Sequence, residues 1–249
     1  MRFLLAMALL LIFSAPGVTR ATTTDIDVRV LARGAKFLGG YAAPVRVILT
    51  DADSGEVLAQ GQTAGTTGDT AKILGQGGKR STDGSAVFRT SLDLGRPRRV
   101  TLSVTGPLSQ PQALTTATST QWILPGHSLT NGDGWLVELP GLIVDVAQPM
   151  AYQSVKAGAS VPLRVGVTML CGCAITTQGP WRADDLDVQA SLVIDGGVAK
   201  TIPLRFDAEA GVFVSEIPAV SSGLYELEVR AWMAASNNTG VARTAFFVH

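Results

Sequence analysis

Histidine is almost missing from this chain: His127 and His249 are the two in 249 residues. Cysteine is as scarce, with Cys171 and Cys173 the single pair. A serine or cysteine nucleophile needs a base within hydrogen-bond reach, normally a histidine, so composition leaves little room for a hydrolytic site. The motif absences agree. No G-x-S-x-G, H-E-x-x-H or repeated acidic calcium loop occurs. Gly78-Lys79 is followed by Arg80, and Ile73 stands where a P-loop requires its first glycine. DADSGE, at Asp51, lacks the later ligands of an EF-hand and reads as a turn. Asp184 and Asp185 are neighbours in sequence, and neighbours on a strand point apart. No enzyme is expected, and no catalytic residue is assigned.

Long runs of one charge are also missing. Lysine plus arginine number 20 against 20 acidic residues, so no electrostatic footprint for nucleic acid or an anionic membrane is present. One long apolar run exists, Phe3 to Phe13. It follows Arg2 and precedes small residues, with Thr19 and Ala21 fitting a cleavage site, which is the pattern of a signal peptide over residues 1–21. It is too short to span a bilayer, which takes about 20 residues. The expectation is an exported chain, periplasmic or secreted, with no membrane span once the leader is removed. About 228 mature residues suit two domains of ordinary size.

What remains is rich in Gly, Thr and Val, in short alternating segments without a helical period: an all-β chain. Over 25–120 the segments are Asp25–Ala32, PVRVILTD, Glu56–Thr63, SAVFRTSL and RRVTLSVTG. A Gly/Thr-rich stretch, Gly65 to Lys79, interrupts them and reads as a flexible surface loop. AAPVRVILTDADSG, STDGSAVFRTSL and RRVTLSVTGPL resemble carboxypeptidase-regulatory-like or transthyretin-like domains. That resemblance implies a prealbumin-like β-sandwich, an accessory or adhesive module. Residues 121–141 differ, carrying Trp122, Trp135 and His127 among Ile123, Leu124, Leu136, Val137 and Leu139. A flexible linker is poor in such groups, so this stretch is expected to be a structured, hairpin-like connector holding two domains together.

From 142 to 249 the strands LIVDVAQP, Val161–Met169, Leu186–Ile194, Gly211–Ile217, LYELEVRAWM and ARTAFFVH resemble a bacterial immunoglobulin-like sandwich. SSGLYEL resembles its tyrosine corner, with Ser221 in place of the usual Asp. The resemblance specifies a fold and leaves function open.

The chemistry concentrates in Val161–Trp181. Val161, Leu163, Val165, Val167, Met169, Cys171 and Cys173 share one face by alternation. The two cysteines admit three readings: buried small hydrophobes, a disulfide for which Gly172 lets the backbone bend, or a soft-metal site. For Cu(I) the ligands would be Cys171, Cys173 and Met169, with Met233 or His127 completing the set; no other cofactor is implied. In an immunoglobulin-like topology this strand end faces the first domain. The leading expectation is a non-catalytic protein that binds or scaffolds a protein partner at the domain junction. Trp122, Trp135 and Trp181 are its candidate contacts, and thiol-redox or Cu(I) chemistry at Cys171-Gly172-Cys173 is the alternative.

Overall fold

Ile26, Val28 and Val30 point one way from a strand because successive side chains alternate, and their burial fixes the first layer of the fold. The computed structural model describes residues 20–40, 43–75 and 77–249. The expected leader, apart from Arg20 and Ala21, lies outside the described residues. The N-terminal unit contains β1 (Thr22–Ala32), β2 (Arg46–Asp51), β3 (Val57–Gln62), a one-turn helix α1 (Thr70–Leu74), β4 (Phe88–Leu94), β5 (Arg98–Gly106), β6 (Thr115–Ile123) and β7 (Trp135–Leu139). They form two sheets, in the orders β4-β1-β7 and β3-β2-β5-β6. Ile26, Val28 and Val30 meet Val47, Leu49, Val100, Leu102 and Val104 in one buried core, and burying each such side chain contributes about 1.5–3 kcal/mol.

The C-terminal unit follows without a break: β8 (Leu142–Gln148), β9 (Ser154–Val155), β10 (Ala159–Met169), β11 (Leu186–Ile194), β12 (Lys200–Pro203), β13 (Arg205–Asp207), β14 (Val212–Ala219), β15 (Gly223–Met233) and β16 (Asn238–Val248). One sheet runs β13-β14-β10-β8 and the other β12-β11-β15-β16-β9. In immunoglobulin lettering these are A-B-E-D against C′-C-F-G, with β12 as C′ and a second piece of strand A added to the opposite edge at β9. The fold is therefore all-β, and this unit is immunoglobulin-like. Tyr225, fully buried, donates its hydroxyl to the Ser221 carbonyl at 3.0 Å, which closes the tyrosine corner. Most buried apolar side chains of the two units form one continuous cluster, with Leu31, Phe37, Ile73 and Ala86 in a second, smaller one.

Two local expectations are corrected. The stretch expected as a separate connector is divided: residues up to Ile123 finish β6, and β7 lies inside the first unit, parallel to β1, with Val28 opposite Trp135 and Ala32 opposite Leu139. A parallel partner more than a hundred residues away leaves no trace in local sequence. Gly65–Lys79 is anchored: Asp69 caps α1 by accepting the Lys72 N–H at 2.7 Å, and Ile73 is buried with Leu31, Phe37 and Ala86. Just beyond, Asp133 accepts the N–H groups of Arg80 and Ser81, both at 2.8 Å. Burial pushes the Asp133 carboxyl up, while those two backbone donors, helped by the Arg29 charge, pull it down, and the net is below the usual carboxylate range. Near the end of the chain Asn238 opens β16, opposite Met233 on β15.

Candidate functional site

At the end of β10 the alternation stops. Met169, Leu170 and Cys171 are buried in succession, which a strand with one buried face does not do. The chain turns here: the Gly172 N–H donates to the Met169 carbonyl at 2.8 Å, and the Met169 N–H to the Cys173 carbonyl at 3.1 Å. Gly172 sits at φ 73°, a conformation glycine adopts without steric cost. Cys171 and Cys173 are joined in a disulfide with Cα atoms 5.4 Å apart. An extended strand would hold them about 6.6 Å apart, and the turn shortens this to near the preferred 5.5–6 Å. The cysteines thus lie beyond the strand and leave its row, Cys171 buried and Cys173 half-buried.

The loop that follows reaches the first unit. The Thr176 N–H donates to the Trp181 carbonyl and the Ala183 N–H to the Thr176 carbonyl, closing it at its base. Thr177 to Pro180 stay exposed at its tip. Half-buried Trp181 donates its indole N–H to the Gly34 carbonyl at 2.9 Å, just past the end of β1.

Beside it stands a residue that sequence reasoning passed over. Asn238 is fully buried. Its Oδ1 accepts the Gly141 N–H and its Nδ2 donates to the Arg33 carbonyl, each at 2.9 Å. One side chain therefore satisfies backbone groups from both units, as a buried amide must. Two residues on, Gly240 lets β16 approach β8 closely: a Cβ there would lie 2.6 Å from the Leu142 carbonyl oxygen. The available signal was parity, because Asn238 falls on the inward row of β16 with Ala242, Phe246 and Val248.

The remaining candidates do not converge on this place as a set. Met169 is fully buried, and Met233 ends β15 opposite Leu186 and Asn238, so both share the junction end of the sandwich. His127 does not. Its turn is tied to the start of β1 by the Gly126 N–H on Thr24 Oγ1 and the Leu129 N–H on the Asp25 carbonyl. Thr24 and Arg33 are separated by about 30 Å of extended strand, so His127 cannot join the sulfurs as a ligand. Its Nδ1 donates instead to the Pro125 carbonyl at 3.0 Å, and the ring is exposed. No group of three or more metal-capable His, Cys, Asp or Glu side chains occurs among the described residues.

The tryptophans also part company. Trp135 is buried within the first unit and donates its indole N–H to Ser119 Oγ at 3.2 Å. Trp122 stands exposed on β6 opposite Arg99, at the far end of that strand from Thr115. Thus the shared surface expected of the three tryptophans resolves into one core ring, one interdomain ring and one surface ring. The acidic candidates are structural. Asp51 Oδ1 accepts the N–H groups of Asp53 and Ser54, and exposed Asp184 pairs with Arg182 at 2.9 Å.

No family model matches the chain, and no curated protein does. Solved structures match weakly. An engineered protein is 18% identical over 51% of this chain and 24% of its own length, with a TM-score of 0.33. The fibronectin(III)-like modules of Clostridium thermocellum CbhA are 13% identical, covering 91% of this chain and 94% of theirs, with a TM-score of 0.29. Three N-terminal domains of the bacteriophage RB49 highly immunogenic outer capsid protein are 14% identical over 92% of this chain and 59% of theirs, with a TM-score of 0.29.

Proposed function

We propose that this is an exported, non-catalytic binding or scaffolding protein whose two sandwiches act as one support for a partner-binding surface at their junction. The observation that carries the reading is Asn238, a fully buried amide of β16 bonded to Arg33 just past β1 and to Gly141 just before β8. It supports a fixed angle between the units, which a scaffold needs and a flexible tether lacks. The disulfide supports export, since such bonds persist in oxidising compartments. Seven strands in two sheets sharing one core support the transthyretin-like reading of the first unit. The binding element assigned is the exposed tip Thr177–Pro180, held over Gly34 by Trp181. Among the described residues no helix is long and apolar enough to cross a membrane.

The test uses the full mature chain, immobilised and exposed to periplasmic extract, beside a variant whose tip is replaced by glycines. Retention of a protein by the first and its loss by the second supports the junction reading. The same proteins retained by both removes it.

A second reading has its own observation: the disulfide joins buried Cys171 to half-exposed Cys173, so an incoming thiolate can reach one sulfur. Attack at Cys173 Sγ forms a mixed disulfide and releases Cys171 as the thiolate. A second thiol of the donor then completes a two-electron reduction. Mild reduction followed by alkylation of the folded protein should label Cys173 before Cys171. If neither is labelled until the protein is denatured, the pair is structural. In the oxidised pair neither sulfur is a thiolate, so Cu(I) binding is a proposal about the reduced protein alone. A Cu(I) titration against a competing chelator tests it, and a Cys171→Ser variant binding as tightly as the unmodified protein would exclude it.

A further inference from the structure

Among the described residues three non-glycines have positive φ: Asp195 at 47°, Asn237 at 53° and Tyr152 at 59°. Asp and Asn adopt this region readily; for a bulky residue it is an outlier. The surroundings of Tyr152 hold it there. Its N–H donates to the Ala245 carbonyl at 2.7 Å. The Met150 N–H donates to Gln153 Oε1 at 3.1 Å, and the Phe247 N–H to the Gln153 carbonyl at 2.8 Å. The turn is thereby laced along β16. Yet the ring it presents is not buried: Tyr152 is 73% exposed and stacks on Phe247, itself 41% exposed, with centroids 6.2 Å apart and planes at 27°. A strained backbone that holds an aromatic ring out into water adds little to stability, and such strain gathers at functional sites.

The ring borders a groove of about 640 Å³ on the outer face of the β11-β15-β16 layer, within the size range of ligand sites. The strand register builds it. Val193, Glu226 and Ala245 lie in one row across the strands, and Ser191, Glu228 and Arg243 in the next. Arg243 Nε donates to Glu228 at 2.8 Å, so that pair is neutral. Glu226 is exposed and has no ion pair among the described residues.

This set discriminates between ligand chemistries. An anion meets the free carboxylate of Glu226. A cation gains one carboxylate only, Glu226, because Glu228 is already taken by Arg243. A neutral ligand with an apolar face and several hydroxyls fits every element: ring faces for its C–H surface, carboxylates to accept, a guanidinium to donate and a serine hydroxyl to do either. We propose that the groove beside Tyr152 is a binding site for a neutral saccharide, independent of the domain junction.

The experiment is calorimetric titration of the full mature protein with cellohexaose, chitohexaose, maltohexaose and, as the cationic control, tetralysine. At least one hexaose should bind, with a Kd below about 10 mM. Tyr152→Gly should weaken that binding at least about tenfold, as removal of an aromatic anchor does, without lowering Tm, because glycine relieves the positive φ. Tyr152→Phe should bind as the unmodified protein does. Glu226→Gln should change saccharide affinity by less than about tenfold, since the ligand is uncharged. The proposal is overturned if no hexaose binds, if Tyr152→Gly binds as well as the unmodified protein, or if only tetralysine binds and Glu226→Gln abolishes it.

Discussion

Two places in this molecule break the burial rule in opposite directions. At the junction a polar side chain, Asn238, is fully enclosed; on the outer face of the second sandwich two aromatic rings, Tyr152 and Phe247, stand in water. Both polar atoms of the enclosed amide have a partner, so it costs little and fixes a geometry. The exposed rings stack only on each other, and one sits on a strained backbone, so they give the fold little in return. The first arrangement is a structural lock and the second has the marks of a surface kept for something else. Substitutions at each should therefore have unlike consequences.

The largest effect should come from Asn238→Leu. It leaves the part-buried Gly141 N–H and Arg33 carbonyl without their partner, at about 1–3 kcal/mol each, so urea unfolding should show a loss of about 2–4 kcal/mol. A loss under about 1 kcal/mol would mean that water reaches the junction, and the contrast with the outer face would fail.

Acid should separate the lock from the rest of the fold. Its bonds join amides, carbonyls and an indole, none of which titrates. Asp51, in the first unit, titrates with a pKa lowered to about 2 from 3.8. The Ser54 N–H is the largest cause, the Asp53 N–H and the Arg98 guanidinium adding to it against partial burial. A pKa lower in the folded state stabilises above the unfolded value and loses that contribution as pH falls through the folded one. Stability should thus decline between about pH 4 and pH 2, and Asp51→Asn should flatten this limb. Thermal melts across that window should show the Asn238→Leu penalty unchanged.

Trp181→Phe keeps a ring at the junction and removes its bond to Gly34. The expected loss is about 1 kcal/mol by denaturant titration, smaller than for Asn238→Leu because the remaining Gly34 carbonyl lies near solvent. Smallest of all is Tyr152→Gly. Relief of the left-handed backbone, worth about 1–2 kcal/mol, offsets the lost ring pair, worth about 0.5–1.5 kcal/mol. Its Tm should match or slightly exceed that of the unmodified protein; a clear fall would place Tyr152 with Asn238 as a structural residue.

Much of the second sandwich was legible because its strands alternate cleanly. Val188, Ala190 and Leu192 on β11 and Tyr225, Leu227 and Val229 on β15 each name their inward face. β6 was not legible, since TTATSTQW alternates threonine with other small or polar residues and has no apolar face to announce it. β7 was visible as apolar but not as a partner of β1. The disulfide was one of three readings, and only the turn at Gly172 brought the sulfurs together. His127 looked available to them until the length of β1 intervened.

Composition and period alone determined the all-β class, the alternating strands of the second sandwich and the pairing options of the two cysteines, because each depends on residues within a few positions of one another. Tertiary structure decided which strand lies beside which, that Asn238 would bridge Gly141 and Arg33, and that Tyr152 would be held over β16. Those outcomes join residues up to 205 positions apart. No local pattern encodes a contact of that kind, because it exists only once both sandwiches have closed.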